Sequence, residues 1–208
     1  MGRSVASLHV GWPWPEESYG LGPMFGDEGW CRGCGTALNE QTGHLVMQGR
    51  GFPSAEVWMP NWLFDVVCVS AQMAVTLRER FSVTLREVHK PRGGASGLMQ
   101  LLPGVTHESW YRREDLSAAV TARHGQHDGD RTGATCPACG CWKWLPVAEG
   151  EVLVVAAALS ETCDVIASPE RFGDGLASSR HLLFRRALAE TLAAATPRIW
   201  DIVEVRAG

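Results

Sequence analysis

The chain has 208 residues, of which 45% are hydrophobic and 20% charged, a composition typical of a folded globular protein. This length allows one large domain or two small ones, each able to bury a core. The net charge of −4 and the pI near 6.0 provide no basic surface for a nucleic acid, so that class of partner is not expected.

Residues 1–27 are predicted to form an N-terminal extension, with Trp12 and Trp14 on either side of Pro13. The extension lacks a continuous apolar segment, so no secretory signal is predicted, and no stretch of the chain is apolar enough to span a bilayer. Seven cysteines, an odd number, fit a reducing compartment better than a disulfide framework. We therefore expect a cytoplasmic protein that binds no membrane.

A Cys-x-x-Cys-Gly pattern, here called a knuckle, occurs twice, at residues 31–35 and 136–140. The tight turn between two such cysteines directs both sulfurs into one concavity, and two knuckles together supply the four thiolates of a tetrahedral zinc site. Such a site leaves no open position for a substrate, so one structural Zn²⁺ is predicted. The predicted ligands are Cys31, Cys34, Cys136 and Cys139.

The separation of the knuckles is unusual, because Cys34 and Cys136 are 102 positions apart. Compact zinc ribbons place their cysteine pairs about 15–20 residues apart. A shared ion would therefore close a very long loop, and the entropic value of a cross-link grows, slowly, with loop length.

The first half, residues 28–92, reads as a knuckle followed by a strand, a helix and a strand. The strands are predicted at 65–70 and 82–88, both rich in β-branched residues. Ser70 is a predicted N-cap of a helix that continues to Arg80. Its apolar face repeats with helical spacing, at Met73, Leu77 and Phe81.

A polar linking segment, residues 93–132, is predicted to join the two halves. Glycine-rich and polar loops flank it, at residues 92–97 and 125–133.

The second half, residues 133–208, is predicted to repeat the order of the first. The apolar run 151–159 is interpreted as a buried strand, with a short helix as the alternative. A strand at 164–168, a helix that Ser178 or Ser179 caps and Pro197 ends, and a closing strand at 198–205 follow. The predicted apolar stripe of this helix contains Leu183, Ala187, Leu188, Leu192 and Ala195.

The order knuckle–strand–helix–strand thus occurs twice in the predicted elements. This order predicts a mixed α/β fold of two pseudo-repeated halves that share one four-cysteine zinc site. Chance similarity of common β-α-β patterns is the alternative.

Other cysteines and histidines are weaker candidates for the metal. Cys141 could replace Cys139 as a ligand, but we prefer it as a neighbour of the site. His124 and His127 are three positions apart near the second knuckle, and His44 could contact a ligand from outside the site. Cys68 and Cys163 lie in or beside apolar strands, which favours inert thiols.

No pattern of a nucleophile with a base is visible, and a redox Cys-x-x-Cys pair would lie at a helix N-terminus rather than before a glycine. No catalytic or cofactor-binding residue is therefore predicted. Nine tryptophans are many for this length, and they suggest core packing or anchors at a protein interface. The candidates for an interface are Trp12, Trp14 and the segment from Trp58 to Phe64.

The two knuckles, the strand–helix modules and the closing strand resemble the double-CXXCG motif proteins of myxobacteria, some of which are immunity proteins of Sit-type toxin systems. The resemblance extends from about Trp30 to Val205. It implies a zinc-containing, non-catalytic cytoplasmic protein that neutralises a toxin by binding it. Cys31, Cys34, Cys136 and Cys139 match the motif of that family.

A thiol- or metal-dependent enzyme, such as one that modifies peptides, stays open as an alternative to a binding protein. Two further kinds of binding protein stay open as well. One is an accessory subunit that recognises the partner of a peptide-modifying enzyme. The other is a zinc-ribbon module associated with nucleic acid, which the acidic net charge disfavours.

Overall fold

The computed structural model describes residues 20–48, 55–125, 131–159, 163–196 and 202–208. Within these ranges the chain forms four α-helices and three β-sheets, which confirms the predicted mixed α/β class. Trp12, Trp14, His127 and Pro197 lie outside the described residues.

The largest sheet is antiparallel and has the strand order β1-β2-β4-β3. Strand β2 is buried on both faces: Val67 and Val69 pack on one side, and Cys68 packs on the other. Burial on both faces explains why this strand is a continuous apolar run rather than an alternating one. The strands span Val57–Trp58 (β1), Val67–Val69 (β2), Thr84–His89 (β3) and Ala95–Leu102 (β4).

Two helices cover one face of this sheet. Helix α2, Ala71–Arg80, begins where the sequence predicts, because the Ser70 hydroxyl accepts a hydrogen bond from the Met73 N–H. Leu77 from α2 and Leu188 from α4, Arg186–Ala195, are fully buried in the same core cluster as Val67. A short helix, α1 (Leu21–Phe25), packs against the other face of the sheet through Leu21 and Met24.

The segment predicted as a polar link, residues 93–132, forms part of the core. It supplies β4, which lies between β2 and β3, and the short strand β5, Gly104–Val105. It also supplies helix α3, Arg113–His124, which buries Leu116 and Val120. The Gly-rich residues 91–94 form the turn of the β3–β4 hairpin.

The second sheet has the order β5-β8-β9, with β8 at Val165–Ala167 and β9 at Leu182–Phe184. The prediction of a helix capped by Ser178 or Ser179 is wrong, since Leu183 lies in β9 and α4 begins only at Arg186. Residues 182–184 are extended rather than helical because pairing with β8 provides hydrogen-bond partners for their backbone groups. The helix ends at Ala195.

The strand predicted at 151–159 is also wrong. The segment contains two 3₁₀ turns, Glu149–Glu151 and Ala156–Ala158, which is closer to the alternative of a short helix. Its apolar residues are still partly in the core, with Val152, Val154 and Ala158 buried. Leu153 and Leu159 are exposed, so apolar content predicted the burial of this segment only in part, and it did not identify the backbone conformation.

Residues 202–205, part of the predicted closing strand, are not in a strand, and 198–201 lie outside the described residues. Residues 65–89 thus run strand–helix–strand, whereas residues 164–196 run strand–strand–helix. The prediction of two equivalent halves is not confirmed beyond the knuckles themselves.

Candidate metal centre

The two knuckles have the same local geometry. In the first, the Cys31 N–H donates to the Thr36 carbonyl over 2.8 Å and the Gly35 N–H to the Cys31 carbonyl over 2.8 Å. In the second, the Cys136 N–H donates to the Cys141 carbonyl over 2.9 Å and the Gly140 N–H to the Cys136 carbonyl over 2.8 Å. The donor and acceptor offsets are identical, so each Cys-x-x-Cys-Gly segment specifies the same turn.

A short pair of extended segments holds each knuckle. Trp30 pairs with Ala37 around the first, and Thr135 pairs with Trp142 around the second. In the second knuckle this pairing extends into a two-stranded sheet of β6, Gly133–Thr135, and β7, Trp142–Trp144. Each pair of cysteines therefore lies at the tip of a hairpin.

The two tips meet, and their four sulfurs form one cluster. All four Sγ atoms lie within 4.8 Å of one another. Cys31 and Cys136 are 3.8 Å apart at sulfur, and Cys34 and Cys139 are 3.7 Å apart. A tetrahedron with metal–sulfur bonds of about 2.3 Å has edges of about 3.8 Å, so this spacing fits a metal with four thiolate ligands. The four predicted residues could thus hold a metal ion.

The thiols of the cluster do not titrate alike. Backbone N–H groups of Ala138 and Cys139 lower the pKa of Cys136 to about 6. The Cys141 N–H lowers the pKa of Cys139, but burial and the other three thiols raise it by more, so the net shift is upward. Thiolates so close together repel one another, and a bound cation removes this repulsion.

Three further side chains contact the cluster's hairpins, and sequence patterns did not identify any of them as part of the site. Thr36 accepts a hydrogen bond from the Cys34 thiol over 3.2 Å. The buried Lys143 donates to the Cys34 carbonyl over 3.1 Å, and Arg171 donates to the Ala37 carbonyl over 2.8 Å. Lys143 has only a faint sequence signal, a lone charge between Trp142 and Trp144, whereas Arg171 lies 135 or more positions from the first knuckle and has none.

The other candidate ligands lie elsewhere. Cys141 is half-buried and outside the cluster, with its carbonyl accepting from Cys136. The His124 ring donates to the Pro146 carbonyl over 2.7 Å. His44 stacks on His89 with ring centroids 3.8 Å apart and bonds to the Glu87 carbonyl. None of these side chains belongs to the four-cysteine cluster.

The two remaining cysteines differ in burial. Cys68 is fully buried, and burial raises the pKa of its thiol well above the ordinary value, as expected for an inert residue. Cys163 is only half-buried.

The tryptophans divide between core and surface. Trp58 and Trp110 are fully buried and Trp30 and Trp144 nearly so. Trp62, in contrast, is 44% exposed, and the nearby Phe64 is 48% exposed. Trp58 is therefore no surface anchor, whereas the end of the predicted segment does present aromatic rings.

Trp62 also has an unusual backbone, with φ at +67°, the one non-glycine residue in the left-handed region among those described. A bulky residue seldom adopts this conformation, so its surroundings must impose it. Its side chain borders a cavity of about 320 Å³ next to the first knuckle, lined also by Leu21, Gly35, Leu63 and residues 174–178.

Comparison with protein-family models, with curated proteins and with solved structures finds no match to this chain. Within the described ranges, no helix combines the length and the apolarity needed to cross a lipid bilayer.

Proposed function

We propose that this chain is a zinc-containing, non-catalytic binding protein whose metal holds structure. The spacing of the four sulfurs, 3.7–3.8 Å along two edges, is the observation that carries this proposal. Zn²⁺ is the divalent ion most often found with four thiolates and has no redox chemistry of its own. Four thiolates saturate it, so no position is left for a substrate or an activated water.

The binding role rests on the surface beside the first knuckle. Trp62 exposes an aromatic ring there, and Leu176 is 46% exposed at the same cavity. Aromatic side chains of this kind are enriched among the residues that dominate the free energy of protein interfaces. We propose that a protein partner contacts this surface and that the partner is a toxin which the chain neutralises in the cytoplasm.

The metal is tested by loading the purified protein with Co²⁺ and with Zn²⁺. A four-thiolate Co²⁺ absorption spectrum and about one equivalent of zinc per chain are expected. Cys34→Ser should release the metal, whereas Cys141→Ser should retain it, since Cys141 lies outside the cluster. A metal-free native protein, or an iron–sulfur spectrum, would show that zinc is wrong.

The partner role is tested by co-expression with the protein encoded next to this chain. If that protein is toxic alone, this chain should restore growth, and the variant Trp62→Ala should restore it less. Val75→Ala is the matched control, since Val75 is 47% exposed on helix α2. Equal rescue by the surface variant and the control would show that this surface does not bind the partner.

A further inference from the structure

Lys143 is a buried cation with an unusual set of partners. The residue lies in β7 and is only 6% exposed. Nζ donates to three backbone carbonyls: Cys34 at 3.1 Å, Gly175 at 2.6 Å and Ala177 at 3.0 Å. Three acceptors around one nitrogen require three N–H donors, so Lys143 is present as the ammonium ion.

Among the described residues, no carboxylate lies within ion-pair distance of this ammonium. Within the described part of the chain, none of the ion pairs involves Lys143. A buried charge is costly unless an opposite charge is close. Four thiolates on a divalent ion carry a net charge of −2, and Lys143 touches the backbone of one ligand, Cys34. The metal centre can therefore supply the missing counter-charge.

The same lysine fixes a loop onto the first knuckle. Residues 172–179, here called the clamp loop, close through two backbone hydrogen bonds between their ends, of 2.8 and 2.9 Å. Ser178 shares a hydrogen bond of 3.0 Å with the hydroxyl of Thr36, the residue that contacts the Cys34 thiol. The Leu176 carbonyl lies so close to Gly35 that no side chain fits between them. The clamp loop thus lies directly against the metal-binding turn.

We propose that Lys143 is a positioning residue that couples the metal to the clamp loop. Its ammonium is the buried counter-charge of the four-thiolate centre, and it holds the loop through the Gly175 and Ala177 carbonyls. Because residues 174–178 form one wall of the cavity beside Trp62, metal binding also completes that wall. This inference rests on the proposed metal centre, and it makes the partner surface dependent on the metal.

The test compares Lys143→Met with Lys90→Met. Lys90 is the other lysine of the chain and is exposed in the β3–β4 turn, so the chemical change is matched while the environment differs. Zinc affinity is measured by competition with a chromophoric chelator, and amide hydrogen exchange is measured at residues 173–179. Changes around metal ligands commonly reduce metal affinity about 10- to 100-fold, and we expect a loss of this size for Lys143→Met only.

Hydrogen exchange of the unchanged protein provides a second measurement that needs no variant. Residues 173–179 should exchange faster in the metal-free form than in the zinc form, with a larger change than the β3–β4 hairpin shows. Wild-type affinity in Lys143→Met, or equal loop protection with and without zinc, would overturn the coupling. If the unchanged protein binds zinc and these effects are absent, only the role of Lys143 fails; if it binds no metal, the proposed centre fails with it.

Discussion

At the scale of single residues, the two knuckle glycines show how equivalent positions acquire different constraints. Gly35 and Gly140 have nearly the same backbone, with φ of +71° and +74°. A Cβ on Gly35 would lie 2.0 Å from the Leu176 carbonyl oxygen, whereas a Cβ on Gly140 would meet nothing within 4 Å. The left-handed backbone of the turn favours glycine at both positions. At Gly35 the close approach of the clamp loop excludes a side chain as well.

Gly35→Ala should therefore destabilise the zinc form much more than Gly140→Ala. The left-handed backbone alone costs alanine about 1–2 kcal/mol, which both variants share. The clash with Leu176 must in addition move the clamp loop, so we expect a further loss of at least about 2 kcal/mol for Gly35→Ala. Urea unfolding of the zinc-loaded variants measures both values, and equal losses would contradict the placement of the loop.

A second residue-scale feature is the buried pair of Tyr111 and His181. The Tyr111 hydroxyl lies 2.6 Å from Nδ1 of His181, whose Nε2 lies 3.0 Å from the Val147 carbonyl. The His181 ring also stacks on Phe172 at the start of the clamp loop, with ring centroids 3.7 Å apart. Burial lowers the pKa of His181 below its ordinary value of 6.5, although Glu149 opposes the shift.

Acid should thus weaken the fold through His181. Below pH 6.5 the unfolded chain binds a proton that the folded ring resists, so stability is complete above that pH and falls as the pH decreases toward the lowered pKa. One such group contributes at most about 1.4 kcal/mol per pH unit. His181→Gln should flatten the decline between about pH 6.5 and 5.5, in zinc-loaded protein whose metal content is checked at each pH. His107→Gln, at an exposed position, should keep the wild-type slope.

At the scale of elements, helices α2 and α4 explain which predictions succeeded. The start of α2 is a local property, since Ser70 caps the helix three residues away at Met73. The start of α4 is not local, because residues 182–184 pair with β8 before the helix begins. Leu183 fits an apolar helical stripe as well as it fits a strand, and its partner Ile166 decides between them.

Ser70→Ala should reduce the free energy of unfolding by about 1 kcal/mol, the usual cost of removing an N-cap. The serine hydroxyl also bonds to the Glu56 carboxylate, so the change loses a second contact. Gln72→Ala, an exposed change in the first turn of the same helix, should be close to neutral or slightly stabilising. Thermal unfolding of both variants measures the difference, and a neutral Ser70→Ala would show that the cap contributes nothing.

At the scale of the whole molecule, the cysteine cluster joins parts of the chain that are far apart in sequence. Each cross-knuckle sulfur contact connects residues 105 positions apart. Other contacts connect the two halves away from the cysteines: the Asp65 carboxylate accepts from the Arg180 N–H over 2.9 Å, and Asp164 accepts from the Ser82 N–H over 2.5 Å. A metal held by the four cysteines would therefore stabilise the same interface as these polar contacts.

Removal of the metal should destabilise the protein as a whole rather than one hairpin. An ion that binds only the folded state at 1,000 times its Kd adds about 4.1 kcal/mol to the free energy of unfolding. Chelation should lower the melting temperature in near-UV circular dichroism, which reports on Trp110 and Trp58 in separate core clusters. A melt unchanged by chelation would show that the metal does not hold the halves together.

The amino-acid sequence by itself determined the features that depend on short spacing. The turn of each knuckle and the cap of α2 depend on residues at most five positions apart, where backbone geometry limits the possible contacts. In the apolar run at 151–159, by contrast, hydrophobic content did not decide which residues are buried, since Val152 and Val154 are buried and Leu153 is exposed.

Tertiary structure decided the features that depend on long-range pairing. Strand β4 lies in a segment that resembles a polar link in sequence, and it is an interior strand of the sheet because β2 and β3 both pair with it. Lys143 contacts the first knuckle and the clamp loop at once, because the fold brings the Cys34, Gly175 and Ala177 carbonyls to its ammonium group. Hydrogen bonds and charges between distant segments leave no periodic pattern in sequence, so only the folded chain reveals them.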